Sequence, residues 1–184
     1  MPWSEAIIEQ FAIVDFDTTE ERDFYGPFNS LLVDIFPSSE HYQVSPQPKL
    51  NDGTLDLAVQ FIVYHRATPI FFLDIKAFRS LTLSSTRASA DDQMRQTFRH
   101  FSSATIPSAT FYGLSAFGPQ FCVYSLDTVT RSIDPPGVAR DLTIVNDIAP
   151  ENRWAYNLFE PSGEAKLREV VNAVKEMTKN CDNS

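Results

Sequence analysis

Every second residue from Leu55 to Val63 is apolar: Leu55, Leu57, Val59, Phe61 and Val63. The beat returns from Ile70 to Phe78, after an interruption at His65–Thr68. A period of two marks β-strands, so residues 51–78 are expected to form a hairpin. On its second strand Phe71, Leu73, Ile75 and Ala77 share one face, and Ile70, Phe72, Asp74, Lys76 and Phe78 share the other. Apolarity on both faces predicts a sheet covered by helices on each side.

Elsewhere the period lengthens. Ile7, Ile8, Phe11, Ala12 and Val14 predict a helix over Trp3–Asp15 with Ser4 as N-cap. A second helix is expected from about Thr18 to Pro37, with Phe24, Phe28, Leu31, Leu32 and Ile35 inward. Thr18 with Glu21 fits a capping box there, Thr19 is a rival cap, and Gly26-Pro27 predicts a kink or a split. His41–Ser45 reads as a short strand stopped by Pro46 and Pro48, and Leu81–Ser89 as a loop. Ala88–Phe101 reads as a helix capped by Ser89 or Thr86, with Met94, Thr97, Phe98 and Phe101 as its core stripe. Ala109–Ala116 and Gln120–Ser125 predict a second hairpin around Phe117-Gly118-Pro119, and Asp141–Asp147 an edge strand. Asn152–Phe159 reads as a short helix and Glu164–Lys179 as an amphipathic one. The expected fold is α/β, a central mixed β-sheet flanked by helices in one domain over residues 1–184.

Composition narrows the chemistry. With 184 residues, 43% of them hydrophobic, the chain can build a real core. No apolar run approaches the ~20 residues that span a bilayer, and the acidic N-terminus is unlike a secretory signal. Two cysteines, Cys122 and an exposed Cys181, predict no disulfide framework and an intracellular setting, cytoplasmic or nuclear. The net charge of −9 argues against a general polyanion binder. Nine acids face one arginine in residues 1–40, whereas residues 77–100 hold Arg79, Arg87, Arg95 and Arg99 against Asp91 and Asp92. The three histidines lack metal-ligand spacing, which argues against zinc. No nucleophile-elbow, Walker or dinucleotide-binding pattern occurs.

The exceptions to the apolar pattern carry the candidate site. Asp56 begins the first hairpin strand, and Asp74 and Lys76 share a face near the end of the second. Folding at His65–Thr68 brings these groups toward one patch, where buried charge is costly unless paired or bound to metal. Two carboxylates and one lysine favour a metal over a simple pair, which would leave one acid uncompensated. An internal salt bridge closing the sheet edge is the structural alternative.

Asp56, then Asp74-Ile75-Lys76, then a Gln-bearing helix resembles the PD-(D/E)XK superfamily of restriction-endonuclease-like nucleases, with Leu55 where the motif has proline. The likeness covers about residues 19–125, leaving a C-terminal helical extension over 151–180. The run from Tyr25-Gly26-Pro27 to Phe111-Tyr112-Gly113 also resembles fungal proteins with this core. The resemblance implies a restriction-endonuclease-like core in αβββαβ order and a Mg²⁺- or Mn²⁺-dependent hydrolase of DNA, less readily RNA, in many relatives a homodimer. It implies a metal held by Asp56, Asp74, the Ile75 carbonyl and Glu21, with Glu20 as rival. Lys76 would orient water or stabilise charge, and Gln93 would assist, with Gln96 as its rival or a substrate contact. Arg79, Arg87, Arg95 and Arg99 surround these residues in sequence and are read either as contacts to substrate phosphates or as a solvated face. Glu21 is equally read as a helix cap and Gln93 as a surface contact. The alternative function is a nuclease-like fold with a weak or silent site, used for binding or assembly; the net acidity favours it.

Overall fold

The computed structural model describes residues 3–51, 54–102, 106 and 108–182; for 50, 51, 54–57, 102, 181 and 182 it describes the backbone alone. The helices are α1 (Glu5–Ala12), α2 (Tyr25–Ile35), α3 (Ser84–Ser102) and α4 (Pro161–Asp182). The strands are β1 (Tyr42–Asn51), β2 (Thr54–His65), β3 (Thr68–Lys76), β4 (Thr110–Phe117), β5 (Gln120–Asp127) and the two-residue β6 (Ile133–Asp134) and β7 (Tyr156–Asn157). The sheet of the described residues runs β1-β2-β3-β4-β5-β6, with β7 also on β5. Among the described residues only the β3–β4 pair is parallel, and α3 makes the crossover that a parallel connection requires. The protein is therefore α/β with a mixed sheet.

The two faces separate as the alternation predicts. Phe71, Leu73 and Ile75 of β3 join Phe61, Val63, Leu114 and Ala116 against α1, α2 and α4. Phe72 faces the other way, onto Met94, Phe98 and Phe101 of α3. Its ring lies 4.9 Å from that of Phe98, edge to face. Full burial of each such side chain contributes about 1.5–3 kcal/mol. Gly113 lets α3 approach: a Cβ there would stand 2.5 Å from the Phe72 ring and 2.8 Å from the Met94 methyl.

Several expected boundaries move. β1 continues through Pro46 and Pro48, because it is an edge strand and a missing N–H costs nothing on the unpaired side. A 3-10 turn, Glu21–Phe24, runs into α2, and Pro27 falls in that helix's first turn, where no intrahelical bond is lost. No capping box forms: Thr18 Oγ1 accepts from the Glu20 N–H and donates to Asp23. The loop expected at Leu81–Ser89 is instead a 3-10 turn, Phe78–Thr82, followed by the start of α3. Residues 141–147 form no strand; Asn146 and the Asp141 carboxylate close the segment on itself. In place of a helix over Asn152–Phe159 there is a 3-10 turn, Glu151–Arg153, and then β7.

Candidate functional site

Asp74 lies on the central strand β3 and is buried at 3% exposure. The register places Gln47, Gln60, Asp74 and Ser115 opposite one another across β1, β2, β3 and β4. Directly opposed residues share a face, so Asp74 sits in a polar row on the α3 side. Two residues on, Lys76 ends the strand, its side chain 12% exposed. The Gly118 N–H donates to the Lys76 carbonyl at 3.0 Å, tying the strand end to the β4–β5 turn.

Glu21 reaches this patch from the turn ahead of α2. The buried ring of Phe24 anchors that turn. The Tyr25 hydroxyl donates to Glu21 Oε1 at 2.7 Å and accepts from the Val59 N–H at 2.9 Å, clamping Glu21 onto β2. Burial, and then the adjoining Glu21 carboxylate, push the Tyr25 hydroxyl well above its usual range, so it stays a donor. Lys76 Nζ lies 3.4 Å from Glu21 Oε2.

Sequence reasoning missed Lys49. The register between β1 and β2 slips between Pro48 and Leu50, and such a bulge re-aims a side chain. The buried Lys49 Nζ lies 2.7 Å from Asp74 Oδ1, 3.2 Å from Glu21 Oε1 and 3.4 Å from the Ile75 carbonyl oxygen. Burial by itself would drive its ionisation downward; the carboxylates of Asp74 and Glu21 outweigh that and hold it above the ordinary lysine range. Lys49 is thus a cation seated among three oxygens. The signal in the sequence was the alternation Gln47-Pro48-Lys49, legible only once Pro46 and Pro48 are allowed inside an edge strand. Tyr25 carried no separate signal.

Beside this cluster a cleft of about 280 Å³ opens between the sheet and α3, lined by Gln47, Lys49, Gln60, Asp74, Gln93 and Gln96 among others. Gln96 is exposed and Gln93 partly buried. Glu20 is exposed and pairs with Arg22 at 3.4 Å. Asp56 lies in the backbone of β2, and its side chain is outside the described residues, as is that of Cys181. Cys122 is buried and free, its thiol pushed up to about 12 by burial.

The arginines divide. Arg79 is exposed on the turn before α3. Arg87 is buried, donating to the Leu81 and Ala149 carbonyls at 2.8 Å and pairing with Asp147. Arg95 donates to Asp91 at 2.9 and 3.0 Å and to the Pro135 carbonyl at 2.8 Å. Asp91 also accepts from Tyr124 and Arg153, at 2.8 and 2.9 Å. Arg87 and Arg95 therefore pin the segment from Ile133 to Arg153 onto α3; neither lines the cleft beside Asp74. The structure brings Glu21, Asp74, the Ile75 carbonyl and Lys76 together and leaves these two arginines elsewhere.

Among the described residues no three acidic, histidine or cysteine side chains form a metal cluster, and no helix is long and apolar enough to cross a membrane. No family model, curated protein or solved structure matches the chain.

Proposed function

We propose that this protein is a divalent-metal-dependent nuclease of restriction-endonuclease-like architecture, working inside the cell on DNA in preference to RNA. One observation carries the reading: oxygens of Glu21, Asp74 and Ile75 converge on a single cationic point, each within 3.4 Å of the Lys49 nitrogen. These are hard oxygen donors of the kind that hold Mg²⁺ or Mn²⁺. A further donor stands ready, since the buried Asp74 Oδ2 has no hydrogen-bond partner among the described residues. The residues fit such an ion, with Asp56 on β2 proposed as an additional ligand. The order α2-β1-β2-β3-α3-β4, with β4 parallel to β3, agrees with the αβββαβ core that the resemblance implies.

The ion supplies Lewis acidity toward a phosphoryl oxygen and toward water. Glu21 is held in place by Tyr25 and so presents its carboxylate at a fixed angle. Lys76 brings a positive charge to the rim, where it orients the attacking water and stabilises charge growing on the phosphate. Gln93 and Gln96 offer amides along the cleft to the substrate backbone.

A second reading has its own observation. Lys49 and Lys76 already balance Glu21 and Asp74, as suits a silent site in a binding or assembly module. The two readings separate on labelled single- and double-stranded DNA and RNA, incubated with Mg²⁺, Mn²⁺ or EDTA. The nuclease reading expects metal-dependent cleavage reduced at least 100-fold in Asp74→Ala and in Lys76→Ala, roughly the contribution of one catalytic group. Cleavage of no substrate refutes it in favour of the binding module, and full cleavage by Lys76→Ala removes the role given to that lysine.

A further inference from the structure

We propose that Lys49 is a built-in competitor for the metal position, so that a divalent ion binds only when the Lys49 side chain withdraws. The inference rests on reading Glu21, Asp74 and the Ile75 carbonyl as a divalent-cation site, and it goes beyond that reading by naming what governs the site's affinity.

Space argues for exclusion. The ammonium touches the same three oxygens that would ligate the ion, at 2.7, 3.2 and 3.4 Å. Mg²⁺ draws its ligands to about 2.0–2.1 Å, so nitrogen and ion cannot share the point. Charge argues the same way. Among the described residues the two carboxylates face two ammoniums, Lys49 and Lys76, and balance. Adding a dication with Lys49 in place would leave two uncompensated positive charges in a buried pocket, or one where Asp56 also ligates, which the low dielectric penalises heavily. Withdrawing Lys49 lowers that excess by one charge and frees the oxygens. The position of Lys49 makes withdrawal feasible: it lies on an edge strand, at a bulge, beside the open cleft. Lysine's long flexible stem allows the head to reach solvent there. The resting protein then holds its own cation, and metal affinity is set by the difference between ammonium and ion.

The test uses Mn²⁺ alone as probe. Binding is measured by titration calorimetry on the wild type, Lys49→Met, Lys49→Gln and the double variant Lys49→Met/Asp74→Asn, each shown to be folded by circular dichroism. The expected result is Mn²⁺ binding at least tenfold tighter in Lys49→Met and Lys49→Gln than in wild type, and lost in the double variant. Equal affinity in wild type and both single variants overturns the proposal, and so does absence of binding in all of them. A measurement on the wild type alone covers the case of a variant that fails to fold. Acetylation of lysines, read residue by residue by mass spectrometry, should find Lys49 protected in EDTA and modified at least fivefold faster at saturating Mn²⁺. Protection that persists with Mn²⁺ bound overturns the proposal. None of these readouts needs cleavage, so displacement without nuclease activity would uphold this inference and reject the nuclease, and cleavage with Lys49 still protected would do the reverse.

Discussion

Replacing Asp74 by alanine in the metal-free protein probes the buried charge cluster directly. Asp74 Oδ1 and Lys49 Nζ are 2.7 Å apart, with side chains 4% and 6% exposed. At an effective dielectric of about 20 their attraction is about 6 kcal/mol, set against several kcal/mol of desolvation for each ion. The net worth of the pair is therefore small, but removing one member is not. Left in place, Lys49 would be buried with Glu21 at 3.2 Å as its remaining carboxylate, and Glu21 is 22% exposed and shared with Lys76; turning its head out along the cleft that it lines would relieve part of that cost. A cost of up to about 3–5 kcal/mol is expected for Asp74→Ala, the upper end applying to a Lys49 head that stays in the pocket, or a fall in Tm of up to roughly 6–20 °C for a chain of this size. Lys49→Met should also destabilise, and the double variant should be more stable than the sum of the single effects predicts, with a coupling of about 1–3 kcal/mol. Urea unfolding of the four proteins at pH 7 in EDTA reads all the terms. A cost below about 1 kcal/mol for Asp74→Ala, or additivity of the two changes, would show that the cluster is not held as an interdependent ion network.

Two other predictions use the remainder of the molecule. Gly113→Ala should lower stability by about 1–3 kcal/mol in the same unfolding assay, because the new methyl meets the Phe72 ring and Met94 inside the packed α3 layer; a neutral effect would mean that this layer can shift. Alkaline pH should also destabilise. Folding raises the proton affinity of Cys122 (to about 12), Tyr25 and Tyr124, in each case chiefly through burial. Above pH ~9 the unfolded chain therefore sheds protons that the folded chain keeps, so stability present below that pH is lost as pH rises toward 12. Tm measured from pH 8 to 11 should fall, less steeply in Cys122→Ala, and a flat profile would refute the assignment.

Much of the fold was legible because it depends on local periodicity. The hairpin of β2 and β3, its two faces and the α3 stripe of Met94, Phe98 and Phe101 follow from where apolar residues recur. Asp74 and Lys76 stood out because they break that pattern on one face. Glu21 was legible as an acid ahead of the sheet, but its cap-like spacing from Thr18 pointed equally to a helix end; the Tyr25 clamp turns it to the site instead. The prolines of β1 misled because proline forbids a ladder bond only on a paired side, and whether a strand has an unpaired side depends on the completed sheet.

Sequence alone thus determined the α/β character, the hairpin and the presence of misplaced charges, all properties of neighbours along the chain. Tertiary structure decided what those charges do. Lys49 and Asp74 are 25 residues apart, and only the bulge in an edge strand brings their heads to 2.7 Å. The linear sequence offers Arg87 and Arg95 to phosphates, and the segment from Ile133 to Arg153 folds over both and takes up their donors. Charge pairing is decided by distance in space, and a linear pattern carries no measure of that for residues on different elements.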